Sequence, residues 1–151
     1  MSNSRFAIAV HTLALMAEDV NKPLNSEFIA CRVKTNAVVV RRLLPELARA
    51  NLVETQPGAN GGTRLRRPPG EISLWEIYQA VEKSAAFDVH QPELETPCKV
   101  SRNIGSVLVS IQNRVDKAVF QTLSGMTLAE VLQMLGEENA FSADIKERNC
   151  Q

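Results

Sequence analysis

The sequence predicts a mostly α-helical (α+β) fold, and three observations predict it. Apolar residues recur at helical spacing before residue 51 and again after residue 73. Between them, residues 52–66 break that period with two short extended segments around a glycine-rich stretch. Farther on, Ile104, Leu108, Ile111, Val115, Ala118 and Thr122 follow 4-3-4-3-4 spacing, the seam of a long pairing helix.

The elements follow in order. Phe6, Val10, Leu13, Ala14 and Ala17 lie on one face of a helix over residues 4–19, and Ile8, Leu15 and Met16 add a second apolar side. Asn25 or Ser26 offers an N-cap for a helix through Val33, with Phe28, Ile29 and Val33 as its stripe. Lys34-Thr35 breaks the chain, and Asn36 caps the next helix, which runs to about Ala50. Val40, Leu43, Leu44 and Leu47 face its core; Ala37, Val38, Arg41, Arg42 and Arg49 lie opposite. Pro45 removes one backbone bond there, so a kink or an early end is expected. Residues 52–56 and 63–66 are the arms of a hairpin, and Pro57 to Gly62 its tip. Ser73 and Glu76 form a capping box for a helix to about Lys83. Residues 84–100 are irregular, Asn103 caps the long helix to about Leu123, and Thr127 with Glu130 opens a last helix to about Leu135. Residues 137–151 are a polar tail.

Composition narrows the function. The net charge is zero, from 17 Lys/Arg and 17 Asp/Glu. That zero hides an asymmetry: residues 1–70 hold ten basic and five acidic residues, residues 71–151 seven basic and twelve acidic. A basic half beside an acidic half points to nucleic acid or a membrane surface. No apolar run reaches 18 residues, so no membrane partner is expected. No secretory leader is visible, and Cys31, Cys98 and Cys150 are too few and too scattered for a disulfide framework, so a cytoplasmic protein with reduced thiols is expected. Cys31 is read as a small buried hydrophobe and Cys150 as a tail thiol. No phosphate-binding loop, nucleophile elbow, zinc-protease or CxxC motif occurs; no enzyme, catalytic residue, cofactor or metal site is expected.

Helix, helix, short break, basic helix, hairpin and helix is the order of a winged helix-turn-helix, here followed by a long dimerisation helix. A helix fits the major groove, where each base pair shows a distinct edge. Arg41 and Arg42 carry the fork that meets guanine edges or phosphates, and Val38 suits a thymine methyl. The hairpin tip brings backbone close to DNA with little bulk, with Asn60 and Arg64 serving the minor groove or phosphates. Arg5 near the first helix start suits a phosphate. A winged-helix adapter for a protein partner, with no DNA binding, is the alternative; a small redox protein working through Cys98 ranks last.

The segments TNAVVVRRLLPELARANLV, GANGGTRL, PPGEISLWEIYQAVE and SGMTLAEVL resemble the Rrf-two family of bacterial winged-helix regulators, the BadM/IscR/NsrR/CymR type. TNAVVVRR and SAAFDVHQPELETPCKV are most similar to its YwnA-like branch, which lacks the cluster cysteines. The resemblance covers about residues 4–135. It implies a homodimeric transcription regulator that binds double-stranded DNA at a palindromic site, a repressor by expectation, and responds to a small-molecule or redox effector. Positions matching the family's DNA-contact regions are Thr35, Asn36, Val38, Arg41 and Arg42 in the recognition helix, and Asn60, Gly61, Gly62 and Arg64 in the wing. The crossing helix carries Ile104, Leu108, Ile111, Val115 and Ala118 toward the partner subunit.

Three departures from the family pattern stand out. Pro45 replaces a non-proline helix residue, and Asn51 replaces a glycine at the helix end, a mild change because Asn tolerates the left-handed conformation. Cluster-binding members carry three neighbouring cysteines where this chain has Cys98 alone, so no iron–sulfur cluster is expected, even with His90 counted. Cys98 is instead a candidate thiol sensor, with Lys99 beside it to favour the thiolate. The expected organisation is a DNA-binding domain over 1–83, a loop and dimerisation helices over 84–136, and a tail over 137–151.

Overall fold

The computed structural model describes residues 4–85, 87–89, 95 and 97–139, without the side chains of 137–139. His90 and Cys150 lie outside the described residues, as does the expected tail beyond 139. The described elements are α1 (Arg5–Glu18), α2 (Ser26–Val33), α3 (Ala37–Arg49), β1 (Val53–Gln56), β2 (Gly62–Leu65), a 3-10 turn (Pro69–Glu71), α4 (Leu74–Val81), α5 (Lys99–Ser124) and α6 (Leu128–Asn139). The fold is a winged helix-turn-helix with a long C-terminal helix. The chain divides into two compact units, residues 1–82 with 123–151, and residues 83–122. The last helix falls in the first of these units.

Local chemistry sets the helix ends. The Asn25 side-chain oxygen accepts the Phe28 N–H at 2.8 Å and starts α2. Lys34, left-handed at φ 63°, ends it, and its N–H bonds the Ala30 carbonyl. The Asn36 side chain accepts the Val38 N–H at 2.8 Å and starts α3. The helix continues past Pro45 to Arg49, so the early end is not taken. Its last turn closes as a Schellman motif: Leu52 N–H reaches the Leu47 carbonyl at 3.1 Å and Asn51 N–H the Ala48 carbonyl at 3.0 Å. Asn51 sits at φ 59°, the left-handed conformation for which Asn was read as a substitute for glycine.

The two strands pair antiparallel, with Val53 opposite Leu65 and Glu54 opposite Arg64. Leu24, ahead of α2, adds a bridge to Thr63 through two backbone bonds of 2.9 Å. That bridge ties the hairpin to the helix-turn-helix. The Ser73–Glu76 capping box forms as the sequence predicts. Thr127 and Glu130 likewise exchange bonds at the start of α6. Leu74 N–H to Met126 O and Leu128 N–H to Ile72 O, both 2.9 Å, fasten α6 to the start of α4.

Buried Leu13, Met16, Ile29, Leu43, Leu47, Leu52, Ile72, Ile77 and Leu128 form the core of the winged unit. Trp75 stacks on Tyr78 at 5.5 Å, and Phe6 meets the Tyr78 edge at 5.6 Å. One buried polar atom among the described residues, Thr12 Oγ1, has no hydrogen-bond partner.

Two expectations are corrected. The long helix begins at Lys99, so Asn103 is internal and not its cap; its side-chain amide donates to the Lys99 carbonyl at 2.7 Å. Cys31 is half-buried and engaged in a disulfide, not a reduced core thiol. No residue of α5 is buried.

Candidate nucleic-acid interface

The candidate recognition face is built on α3. Positions 38, 41 and 42 are spaced i, i+3, i+4 and share one side of the helix. All three are exposed, Val38 at 46%. The opposite side buries Val40, Leu43 and Leu47, so the helix is held by its core and displays its basic side. Thr35 is half-buried in the turn, and its N–H bonds the Ala30 carbonyl at 3.0 Å. Asn36 is exposed, with its side-chain oxygen committed to the cap and its amide nitrogen on the same end of α3.

The two arginines differ in their surroundings. The Arg41 guanidinium is hydrogen-bonded to Glu27 on α2, a pair whose side chains are 53% and 64% exposed. Arg42 makes no ion pair or hydrogen bond among the described residues. The backbone N–H of Glu27, the Arg41 guanidinium and the Ser26 hydroxyl together hold the Glu27 carboxyl below its ordinary value. Glu27 is thus an anion in the middle of a basic face.

The wing places Asn60 exposed at the tip of the hairpin. The tip turns through Gly58 at φ 105°, and Gly61 N–H bonds the Gly58 carbonyl at 3.0 Å. A Cβ on Gly61 would lie 2.0 Å from the Gln56 carbonyl oxygen, and one on Gly62 2.6 Å from that of Leu24. These glycines are required by backbone contact within the wing, whatever else they approach. Arg64 is half-buried and bonds its cross-strand neighbour Glu54 at 2.9 Å.

Arg5, the expected phosphate contact near the start of α1, bonds two other elements of the winged unit. Its Nε donates to the Val81 carbonyl at 3.1 Å, and its Nη2 bonds Glu46. It clamps the start of α1 to α3 and the end of α4. Arg67 plays a similar part at the base of the wing, donating to the Asn51 and Glu71 carbonyls at 3.3 and 3.0 Å and to Glu76 at 2.8 Å. Glu27, Glu54 and Arg67 were not singled out by the sequence. The hairpin register would have found Glu54, because it stands as far before the tip as Arg64 stands after it; no local spacing marks Glu27, 14 residues before Arg41.

On α5, Ile104, Leu108 and Val115 are half-buried, and Ala118 is exposed along with Ile111 at 44%. Val100, Val107 and Val109 are also exposed, at 70%, 50% and 38%. Cys98 is exposed just before this helix and takes part in no disulfide. Its thiol is held below its ordinary value by hydrogen bonds from the Ser101 side chain and the Ser101 and Val100 N–H groups. The first turn of the helix supplies these donors; Lys99, the expected cause, is not among them. Among the described residues, no group of three or more His, Cys, Asp or Glu side chains is arranged to hold a metal ion. The described donor set therefore does not fit an iron centre, which needs several ligands together. No helix among the described residues is long and apolar enough to cross a membrane.

This arrangement matches known proteins over most of the chain. The Rrf2 family, described as iron-dependent transcriptional regulators, matches residues 2–134. The HTH-type transcriptional regulator YwnA of Bacillus subtilis strain 168 is 36% identical over 136 residues, covering 89% of this chain and 99% of its own. A crystal structure of a DNA-binding protein is 33% identical with a TM-score of 0.69, covering 85% of this chain and 99% of the other. IscR of T. potens shares the fold at 24% identity and a TM-score of 0.66, covering 97% of this chain and 93% of that one. With an exposed basic face on α3, a glycine-built wing and a family match spanning both, the chain belongs to the Rrf2 family of winged helix-turn-helix transcriptional regulators.

Proposed function

We propose that this protein is a sequence-specific, homodimeric DNA-binding regulator that represses by occluding a promoter. Each subunit places α3 in a major groove and its wing alongside, so the pair reads a palindromic site. The exposed side of α3 carries this reading, with Val38, Arg41 and Arg42 displayed together while the opposite side is fully buried. Thr35 and Asn36 stand at the end of α3 that enters the groove; Asn60, Gly61, Gly62 and Arg64 form the flanking contact. Arg5 at the start of α1 is a further proposed phosphate contact; its guanidinium is engaged with Glu46 and the Val81 carbonyl, and its side chain stays 37% exposed.

The dimer reading rests on the apolar side of α5, which leaves Val107 and Ile111 about half exposed. A contiguous exposed apolar strip on a long helix is a pairing surface. Ile104, Leu108, Ile111, Val115 and Ala118 are the proposed contacts. Light scattering at micromolar concentration reports a dimer mass on this reading; a monomer mass contradicts it. Cys98 is the proposed thiol sensor, because it is exposed and its thiolate is favoured by the helix start. Mild oxidation then changes DNA affinity in the native protein and not in Cys98→Ser. A cytoplasmic location follows from a DNA partner.

The test of DNA reading is a binding titration against duplex at several salt concentrations. Affinity falls steeply with salt if phosphates are neutralised. Replacing Arg41 and Arg42 together by Ala removes specific binding. Undiminished binding by that variant excludes α3 as the reading element.

A further inference from the structure

Glu27 is the feature of this surface that DNA affinity alone does not explain. It is a carboxylate on the face that should meet polyanionic DNA, and its charged form is favoured by its surroundings. Its backbone position is set by the Asn25 cap, whose oxygen holds the Phe28 N–H in the same turn. One carboxylate oxygen accepts from the Ser26 hydroxyl at 3.2 Å; the other accepts from Arg41 Nη2. An exposed ion pair adds little to folding stability. Its consequence lies in what it does to Arg41.

A guanidinium has five N–H donors in a planar fork, and Glu27 occupies part of one edge. The remaining donors stay available to a guanine O6 and N7. A tethered Arg41 has given up side-chain freedom before DNA arrives, which preorganises it for one geometry. The carboxylate also repels phosphate, so Arg41 is a poor clamp for backbone at random sequence. Arg42, one residue on, has no such partner among the described residues and stays adaptable.

We propose that Glu27 is a specificity-determining positioning residue: it holds Arg41 for base reading and withholds it from non-specific phosphate contact. The inference rests on the proposed reading of DNA by α3. Glu27→Gln removes the charge and retains the size and the Ser26 contact. The experiment selects duplexes from a randomised pool with the native chain, Glu27→Gln, Arg41→Ala and the double variant, and measures affinity for the selected and for a scrambled duplex.

The expected result is loss of base preference at the same position in Glu27→Gln and in Arg41→Ala, about three- to tenfold for the former. Affinity of Glu27→Gln for the scrambled duplex rises, and in the double variant Glu27→Gln adds nothing to Arg41→Ala. Native-like preference in Glu27→Gln, or an effect that persists without Arg41, overturns the inference while leaving DNA reading by α3 intact. Enrichment of no sequence by the native chain overturns the DNA reading itself, and this inference with it. Thermal unfolding of Glu27→Gln at the native temperature excludes a merely structural cause.

Discussion

The winged unit and the 83–122 unit bury their apolar residues to very different degrees. In the first, Leu13, Ile29, Leu47, Ile77 and Leu128 have essentially no exposed surface. In the second, the 26-residue α5 has no buried residue, and Val100, Val107, Val109 and Ile111 face outward. Apolar residues at helical spacing thus have two fates. The apolar residues of α1, α3 and α4 specify a core within one chain; those of α5 specify a surface. On the proposed dimer reading, stability and assembly are separable, and mutations on the two sides should report on different measurements.

The largest effect is expected in the core. Leu47→Ala, at a fully buried position on α3, should destabilise the protein by about 2–5 kcal/mol in denaturant unfolding, through lost burial and the cavity left behind. A cost below about 1 kcal/mol would mean that α3 is not anchored as described. On the other side, if α5 pairs subunits as proposed, Val107→Asp should give a monomer mass by light scattering where the native chain gives a dimer mass, and leave the unfolding signal of Trp75 in place. Retention of the dimer mass would move the pairing surface elsewhere.

A pH titration gives a smaller effect within the winged unit. Burial raises the Glu76 carboxyl, but the Ser73 N–H and the Arg67 guanidinium outweigh it and leave it below the ordinary value of 4.5. A depressed carboxylate contributes stability above its unfolded value, and that contribution is lost as pH falls through the folded value. Native protein should lose stability below about pH 4.5 more steeply than Glu76→Gln. Parallel acid curves would contradict the role of Glu76 in joining the wing base to α4. The smallest effect runs the other way. Thr12→Val removes the one buried unpartnered hydroxyl described and should raise stability by about 1 kcal/mol in the same unfolding experiment.

Much of this organisation was legible in the chain. Helical spacing located α1 to α4, and side-chain caps located the starts of α2, α3, α4 and α6 at Asn25, Asn36, Ser73 and Thr127, because these signals act over three or four residues. Asn51 was legible for the same reason: a left-handed helix end is a local requirement. What escaped the sequence was longer in range or evenly matched locally. Asn103 looked like a cap, yet four further residues join the helix ahead of it, and its amide serves the Lys99 carbonyl. Pro45 looked like a stop, but the buried Leu43 and Leu47 on either side carry the helix through. Of the candidate DNA contacts, Val38, Arg41 and Arg42 share a face as the period demands, while Arg5 is ion-paired to Glu46, a partner 41 residues away that no local spacing marks. Glu27 belongs to the same class: only the packing of α2 on α3 brings it to Arg41.

The central claim is that α3 reads DNA through its exposed arginines. Fluorescence anisotropy with a duplex selected from a random pool, measured for the native chain and for Arg41→Ala, tests it most directly. The account predicts that Arg41→Ala loses about 1–3 kcal/mol of affinity for the selected duplex and little for a scrambled one. Equal affinity of both proteins for both duplexes would contradict it.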